Sequence, residues 1–206
     1  MEDLEERFPL FLLGLVLLPS EAVPLHIFEE RYKVMIGRCL EEESEFGILW
    51  LSDEGLRDVG CSAQVVNVLE RMDDGRMNIL VQGTRAFRLE RRIEDMEYPA
   101  GDVEFLDDEY EEADSGLVES AHESYAQLVE HVTGERPAED QLAGLDAYGM
   151  AATIELSPEP KQALLEERSE AARLRVVEEL FGLARGRLEQ AERAQELARS
   201  NGKVRL

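Results

Sequence analysis

Basic residues are scarce. Twenty-two lysines and arginines stand against 46 acids in 206 residues, a formal net charge of −24. Nucleic acid is held mainly by Lys and Arg on its phosphates, so sequence-blind nucleic-acid binding is not expected. Adsorption to anionic membranes is disfavoured for the same reason. Cysteine is nearly missing: Cys39 and Cys61 are too few for a disulfide scaffold or a four-cysteine zinc site. They read as small buried hydrophobes in a reducing compartment, with a contacting pair left open. Long apolar runs are absent. The longest, Leu10 to Leu18, has nine residues with Gly14 inside it, far below the ~20 that a spanning helix needs. Glu2, Asp3, Glu5 and Glu6 precede it with Arg7 as the one base, the wrong charge for a secretory signal. A cytoplasmic protein is expected.

Catalytic signatures are missing as well. The sequence has no GxxxxGK[ST] loop, no GxGxxG and no GxSxG elbow. His122-Glu123 begins like a zinc-protease helix, but Ala126 stands where the second histidine belongs. His122 and His131 are nine residues apart on one expected helix, so they face opposite ways and cannot share a metal. Cys61 with His26 is the one thiol–imidazole pairing left open. No catalytic residue, metal site or cofactor is assigned, and the chain is not expected to be an enzyme.

What is present divides near residue 110. Before it, short strand-like runs alternate with turns. Phe8 to Leu18, interrupted by Pro9 and Gly14, predicts two short strands with a bend between them. Pro19 and Pro24 bracket a loop, and Leu25 to Phe28 is a short extended piece. Tyr32, Met35, Ile36, Cys39 and Leu40 recur at spacings of three and four, one apolar face of a helix starting at Glu29. Phe46 to Leu51 is a buried strand, and Val-rich Gly60 to Leu69 is the next. Asp74-Gly75 predicts a tight hairpin returning at Met77 to Val81. Ala86 to Ile93 makes another strand. Val103 and Phe105 alternate with Asp102 and Glu104 in a last one. Residues 94–114 hold 11 acids and no base, and their end reads as a linker or a solvated stretch.

The second half has helical periodicity. Leu117 to Val132 predicts a helix stopped by Gly134 and Pro137. Leu142 to Ile154 predicts a second. Pro158 to Glu167 predicts a third, with Ala163, Leu164 and Leu165 inward. A long helix runs from about Ser169 to Arg199. Its stripe of Leu174, Val177, Phe181, Ala184 and Leu188 is widened by Leu180 and Leu183 in the first half only. That half packs into a bundle, and the end beyond Leu188 projects, to fray or to pair with another chain. The expected architecture is α+β: a small bent sheet or barrel over residues 1–110, then an α-helical part over residues 111–206 ending in a long helix.

Several stretches resemble the N-terminal domain of the Lon protease family. They are Phe8-Pro9-Leu10, Val16-Leu17-Leu18-Pro19 and Pro24-Leu25-His26-Ile27-Phe28-Glu29-Glu30-Arg31-Tyr32. The resemblance continues through Phe46-Gly47-Ile48, Gly60-Cys61-Ser62-Ala63 and the run from Asp74-Gly75-Arg76 to Ala86-Phe87-Arg88-Leu89. A looser match covers Lys161-Gln162-Ala163-Leu164-Leu165-Glu166 and Arg173-Leu174. Ser20-Glu21 and Glu30 depart from the family pattern. The resemblance implies a PUA-like β pseudo-barrel with one helix, followed by an α-helical bundle. It further implies a region that recognises unfolded or tagged protein substrates ahead of ATPase and protease modules. The chain ends at Leu206, so a stand-alone form without those modules is expected.

The leading expectation is therefore a non-catalytic module that binds unfolded or exposed hydrophobic segments of client proteins. His26, Phe28, Tyr32, Trp50 and Phe87 are its candidate contacts, with Arg85 as a polar anchor. For Phe28, Trp50 and Phe87 the competing reading is core filling. For Arg85 it is an ordinary surface position. Two alternatives stand beside it. One is an assembly adaptor for a dedicated partner, such as a full-length protease, with self-association through the last helix. The other is a small-molecule enzyme using a cleft between the two parts.

Overall fold

The computed structural model describes residues 4–109 and 114–201. The expected boundary between Tyr110 and Glu111 lies outside them. Seven strands and six helices follow in order: β1 (Leu4–Leu13), β2 (Ala22–Ile27), α1 (Glu30–Glu42), β3 (Phe46–Ser52), β4 (Gly55–Leu56), β5 (Val59–Arg71), β6 (Met77–Ile93), β7 (Ala100–Phe105), α2 (Ser115–Thr133), α3 (Glu139–Ala143), α4 (Ala147–Ala151), α5 (Pro158–Glu166) and α6 (Glu170–Asn201). Two compact units result, one of residues 1–110 with 148–169, the other of residues 111–147 with 170–206.

The first unit is a pseudo-barrel. Its strands run β1-β7-β6-β5-β3, and a parallel β1–β3 pairing from Leu10↔Gly47 to Leu13↔Trp50 closes the ring. The other pairings are antiparallel, and β2 lies outside the ring, paired with β6. Closure removes most of the sheet edges that would otherwise template pairing with other chains. Phe8, Leu10, Leu49, Phe87, Val103 and Phe105 fill the centre. Tyr32, Met35, Ile36 and Cys39 of α1 are buried, as its apolar period requires, while Leu40 is partly exposed.

Three local expectations are corrected. Phe8 to Leu13 belongs to one strand, not two. Pro9 stands where β1 is paired with β7, one residue before the β3 ladder begins, so its missing N–H costs no β3 bond. Likewise β6 runs unbroken through Gly83. That glycine is held by backbone bonds, its N–H to the Glu21 carbonyl and its carbonyl to the Ser20 N–H, each at 2.9 Å. The stretch from Leu142 to Ile154 forms two short helices, α3 and α4, instead of one. Segment 148–169 groups with the sheet because α5 is tied to it. The Gln162 amide donates to the Val59 carbonyl at 3.1 Å, and Lys161 pairs with Glu21. On α5, Gln162, Leu164 and Leu165 are buried and Ala163 is exposed.

Asp102 is another departure: expected on the outer face of β7, it is 8% exposed. The Arg91 guanidinium donates to one carboxylate oxygen at 2.9 and 2.6 Å, and the Arg7 N–H donates to the other at 3.1 Å. Arg7 lies in a bulge of β1 with φ of 58°. Arg91, then the Arg7 N–H, hold the carboxyl below its usual range. A depressed folded value stabilises above the ordinary aspartate range and is lost as pH falls through the folded value. Asp102→Asn is expected to lower the urea midpoint at neutral pH, and the deficit to vanish in acid. A deficit independent of pH would assign Asp102 a purely steric role.

In the second unit α2 and α6 pack together, with Tyr125 and Phe181 rings 5.6 Å apart. Gly134, at φ 79°, caps α2 in the left-handed conformation that glycine accepts most readily. Leu174, Val177 and Phe181 are buried on α6. Leu183 is exposed, against the expected widening of the stripe, and so are Leu188 and Leu197.

Candidate functional site

β2 has an unusual phase. Pro24 has no N–H, so its pair with Leu80 is the non-hydrogen-bonded kind, and the ladder to β6 runs through Val23, Leu25 and Ile27. By the two-residue period, Leu25 and Ile27 point inward and are buried, while Ala22, Pro24 and His26 point outward and are exposed. Phe28 follows at the end of the strand, 57% exposed. Its ring lies 5.7 Å from the His26 ring at an interplanar angle of 22°, a stacked pair on the surface.

A polar chain crosses the three neighbouring strands. His26 Nδ1 lies 2.6 Å from Asn78 Oδ1, and the Asn78 amide donates to Glu70 at 2.8 Å. Asn78 therefore accepts from a His26 ring protonated at Nδ1. Pro24, Leu25, His26, Leu69, Glu70 and Asn78 surround an open depression of about 560 Å³. Leu69 is 54% exposed on its rim. Large apolar side chains at such a depression suit an apolar segment of another molecule.

The structure brings His26 and Phe28 together and sends the other candidates elsewhere. Phe87 is 0% exposed in the barrel centre, edge-on to Phe8 and Phe105. Tyr32 is buried with its ring 4.0 Å from that of Phe11, and burial pushes its hydroxyl pKa up. Trp50 is buried under the Arg57 guanidinium, 5.6 Å from its ring, beside a separate hollow. Arg85 is exposed, its guanidinium stacked 3.9 Å above Phe105. Leu69, Glu70 and Asn78 were not singled out in the sequence; the alternation of Asn78 with buried Met77 and Ile79 was the available signal.

Cys61 is fully buried and His26 exposed, so the thiol–imidazole pairing does not form. Both cysteines are free and buried, and burial raises both thiol pKa values. Among the described residues no three His, Cys, Asp or Glu side chains converge as metal ligands, and no helix is long and apolar enough to cross a membrane.

A family model described as the ATP-dependent protease La (LON) substrate-binding domain matches residues 7–181. The Lon protease of Paraburkholderia phytofirmans is 26% identical over 210 residues, covering 92% of this chain and 26% of that protein. The Lon protease of Parabacteroides distasonis is 27% identical over 117 residues, covering 52% of this chain and 14% of that protein. The chain thus spans about a quarter or less of the length of these relatives. The crystal structure of a Lon N-terminal domain protein from Xanthomonas campestris superposes with a TM-score of 0.63 at 25% identity, over 83% of this chain and 96% of that one. The N-terminal domain of the Mycobacterium avium complex Lon protease gives 0.64 at 21% identity, over 86% and 98%, a likeness of fold.

Proposed function

The chain belongs to the ATP-dependent protease La (LON) substrate-binding domain family, and on that premise we propose that it recognises exposed apolar segments of unfolded client proteins through the outer surface of β2. The observation that carries this reading is the exposed Phe28 stacked on His26, next to a depression rimmed by Leu69. No chemistry of its own is assigned to the chain: its part is to hold the client, in the cytoplasm. Its charge of −24 supports proteins over nucleic acids and anionic membranes as partners.

Phe28→Ser and Leu69→Ser are each expected to weaken binding of a labelled, permanently unfolded protein about tenfold. That factor needs only roughly 60 Å² of apolar area covered per side chain at ~25 cal/mol per Å². Both positions are exposed, so thermal stability should hold. Fluorescence anisotropy at low and high salt measures the effect, and binding should survive high salt. Unchanged affinity in both variants would remove this surface from the site.

A second reading rests on α6. Leu183 near its middle and Leu188 and Leu197 in its far half are exposed, which favours an adaptor that pairs this helix with a second copy or a dedicated partner.

A further inference from the structure

We infer that the outer edge of β2 is a template for strand addition, on which an extended segment of the client pairs through its main chain. This rests on the recognition reading above and specifies its mode. β2 pairs with β6 on one side, and no strand is paired on its other side among the described residues. Pro24 fixes which groups face that open side: the N–H and carbonyl of Ala22 and His26, and the carbonyl of Pro24. None of these outward groups has a hydrogen bond to another main-chain or side-chain group among the described residues. Ala22, Pro24 and His26 are all exposed, so these groups reach water, and an extended chain can replace that water.

The occupant is an extended, uncharged or basic protein segment with free backbone amides. A helical segment uses its donors and acceptors within itself and cannot offer the required row. Acidic segments meet a chain of net charge −24, and Glu70, whose carboxylate accepts from Asn78, adds a negative charge beside His26. Alternate side chains of an added strand fall on the same face as Pro24 and His26, next to the Phe28 ring. The main chain then supplies affinity without regard to sequence, and Phe28 favours apolar residues.

Two substitutions at one position separate the edge from the side chain. His26→Ala removes the imidazole and keeps the outward N–H. His26→Pro removes both, and the β6 ladder loses nothing because this N–H does not face it. The probes are a fluorescein-labelled dodecapeptide, valine alternating with threonine and a lysine at each end, and reduced, alkylated lysozyme. His26→Pro is expected to bind both about fivefold more weakly than His26→Ala, the factor carried by one hydrogen bond of ordinary net strength. Pro24→Ala adds a donor and should bind about fivefold more tightly than the wild type. With the wild-type chain, N-methylation of one alternate set of peptide amides should abolish binding and methylation of the other set should not. This arm stands even where a variant folds poorly. Equal binding by His26→Pro and His26→Ala, with both methylated peptides tolerated, overturns strand addition and leaves recognition by Phe28 and Leu69 standing. Failure of the wild type to bind either probe overturns both.

Discussion

Phe87→Ala is expected to cost about 3–5 kcal/mol of stability, the range for emptying a buried aromatic site. The ring is 0% exposed and lies 5.8 Å from Phe8 and 6.4 Å from Phe105, edge-on to both. Its tip rests on two glycines: a Cβ at Gly47 would stand 2.5 Å from Phe87 Cζ, and one at Gly60 would stand 2.8 Å away. The floor of the site is therefore main chain of β3 and β5, which cannot move in to fill the space. The two floor positions should respond differently. A Cβ at Gly47 meets the Phe87 ring and a flexible Leu10 methyl, whereas one at Gly60 also meets the Ile48 carbonyl oxygen at 2.4 Å. Gly47→Ala should thus be harmful alone and much less so beside Phe87→Ala, while Gly60→Ala should stay harmful in both backgrounds. Urea unfolding of the three single and two double variants measures this; a loss below about 1 kcal/mol for Phe87→Ala would show that the core collapses around the gap. Where the variant is still folded, its affinity for unfolded protein should match the wild type, because Phe87 acts in the core.

Phe87 also shows what the sequence conceals. An aromatic on an alternating strand has one of two faces, and closure of the barrel decides which. The sequence predicts a break in β1 from Pro9 and Gly14, and separate strands at Met77 to Val81 and Ala86 to Ile93, yet long-range pairing carries β1 through Pro9 and β6 through Gly83. A Cβ at Gly83 would stand 2.1 Å from the Leu18 carbonyl oxygen, so that glycine marks a close approach of two backbone segments and not a turn. The helical face of α1 and the Asp74-Gly75 hairpin were legible because each depends on neighbours within a few residues. Leu69 was not legible. Register shifts between Val65 and Asn67, and again between Val68 and Glu70, turn β5 over twice, so a period of two stops reporting the face. His26 and Phe28 are exposed because the end of β2 keeps its two-residue period. Lys161 and Gln162 entered as part of a family-like run. Their physical reason is the attachment of α5 to the sheet.

That attachment carries the second large effect. Lys161→Met is expected to destabilise the protein by about 3–5 kcal/mol, because it leaves a buried carboxylate without its cation. The side chains of Lys161 and Glu21 are only 12% and 9% exposed. Glu21 also accepts the Leu18 N–H at 3.0 Å, which alone cannot offset the loss of water around the charge. Removing the charge as well should repair most of the damage: Glu21→Gln in the Lys161→Met background keeps an acceptor for Leu18 and buries no unpaired ion. The pair also bears on recognition. Glu21 directly precedes β2, and its carbonyl accepts the Gly83 N–H, so the start of the edge strand is pinned between β6 and α5. Once Glu21 is unpaired, Ala22 and Pro24 lose their fixed position against β6, and an added strand would have to order them. Client affinity should therefore fall with Lys161→Met and return with the double variant, read by anisotropy below the melting temperature of each. Stability restored without affinity would separate the ion pair from the edge and make Lys161 a residue of the fold alone.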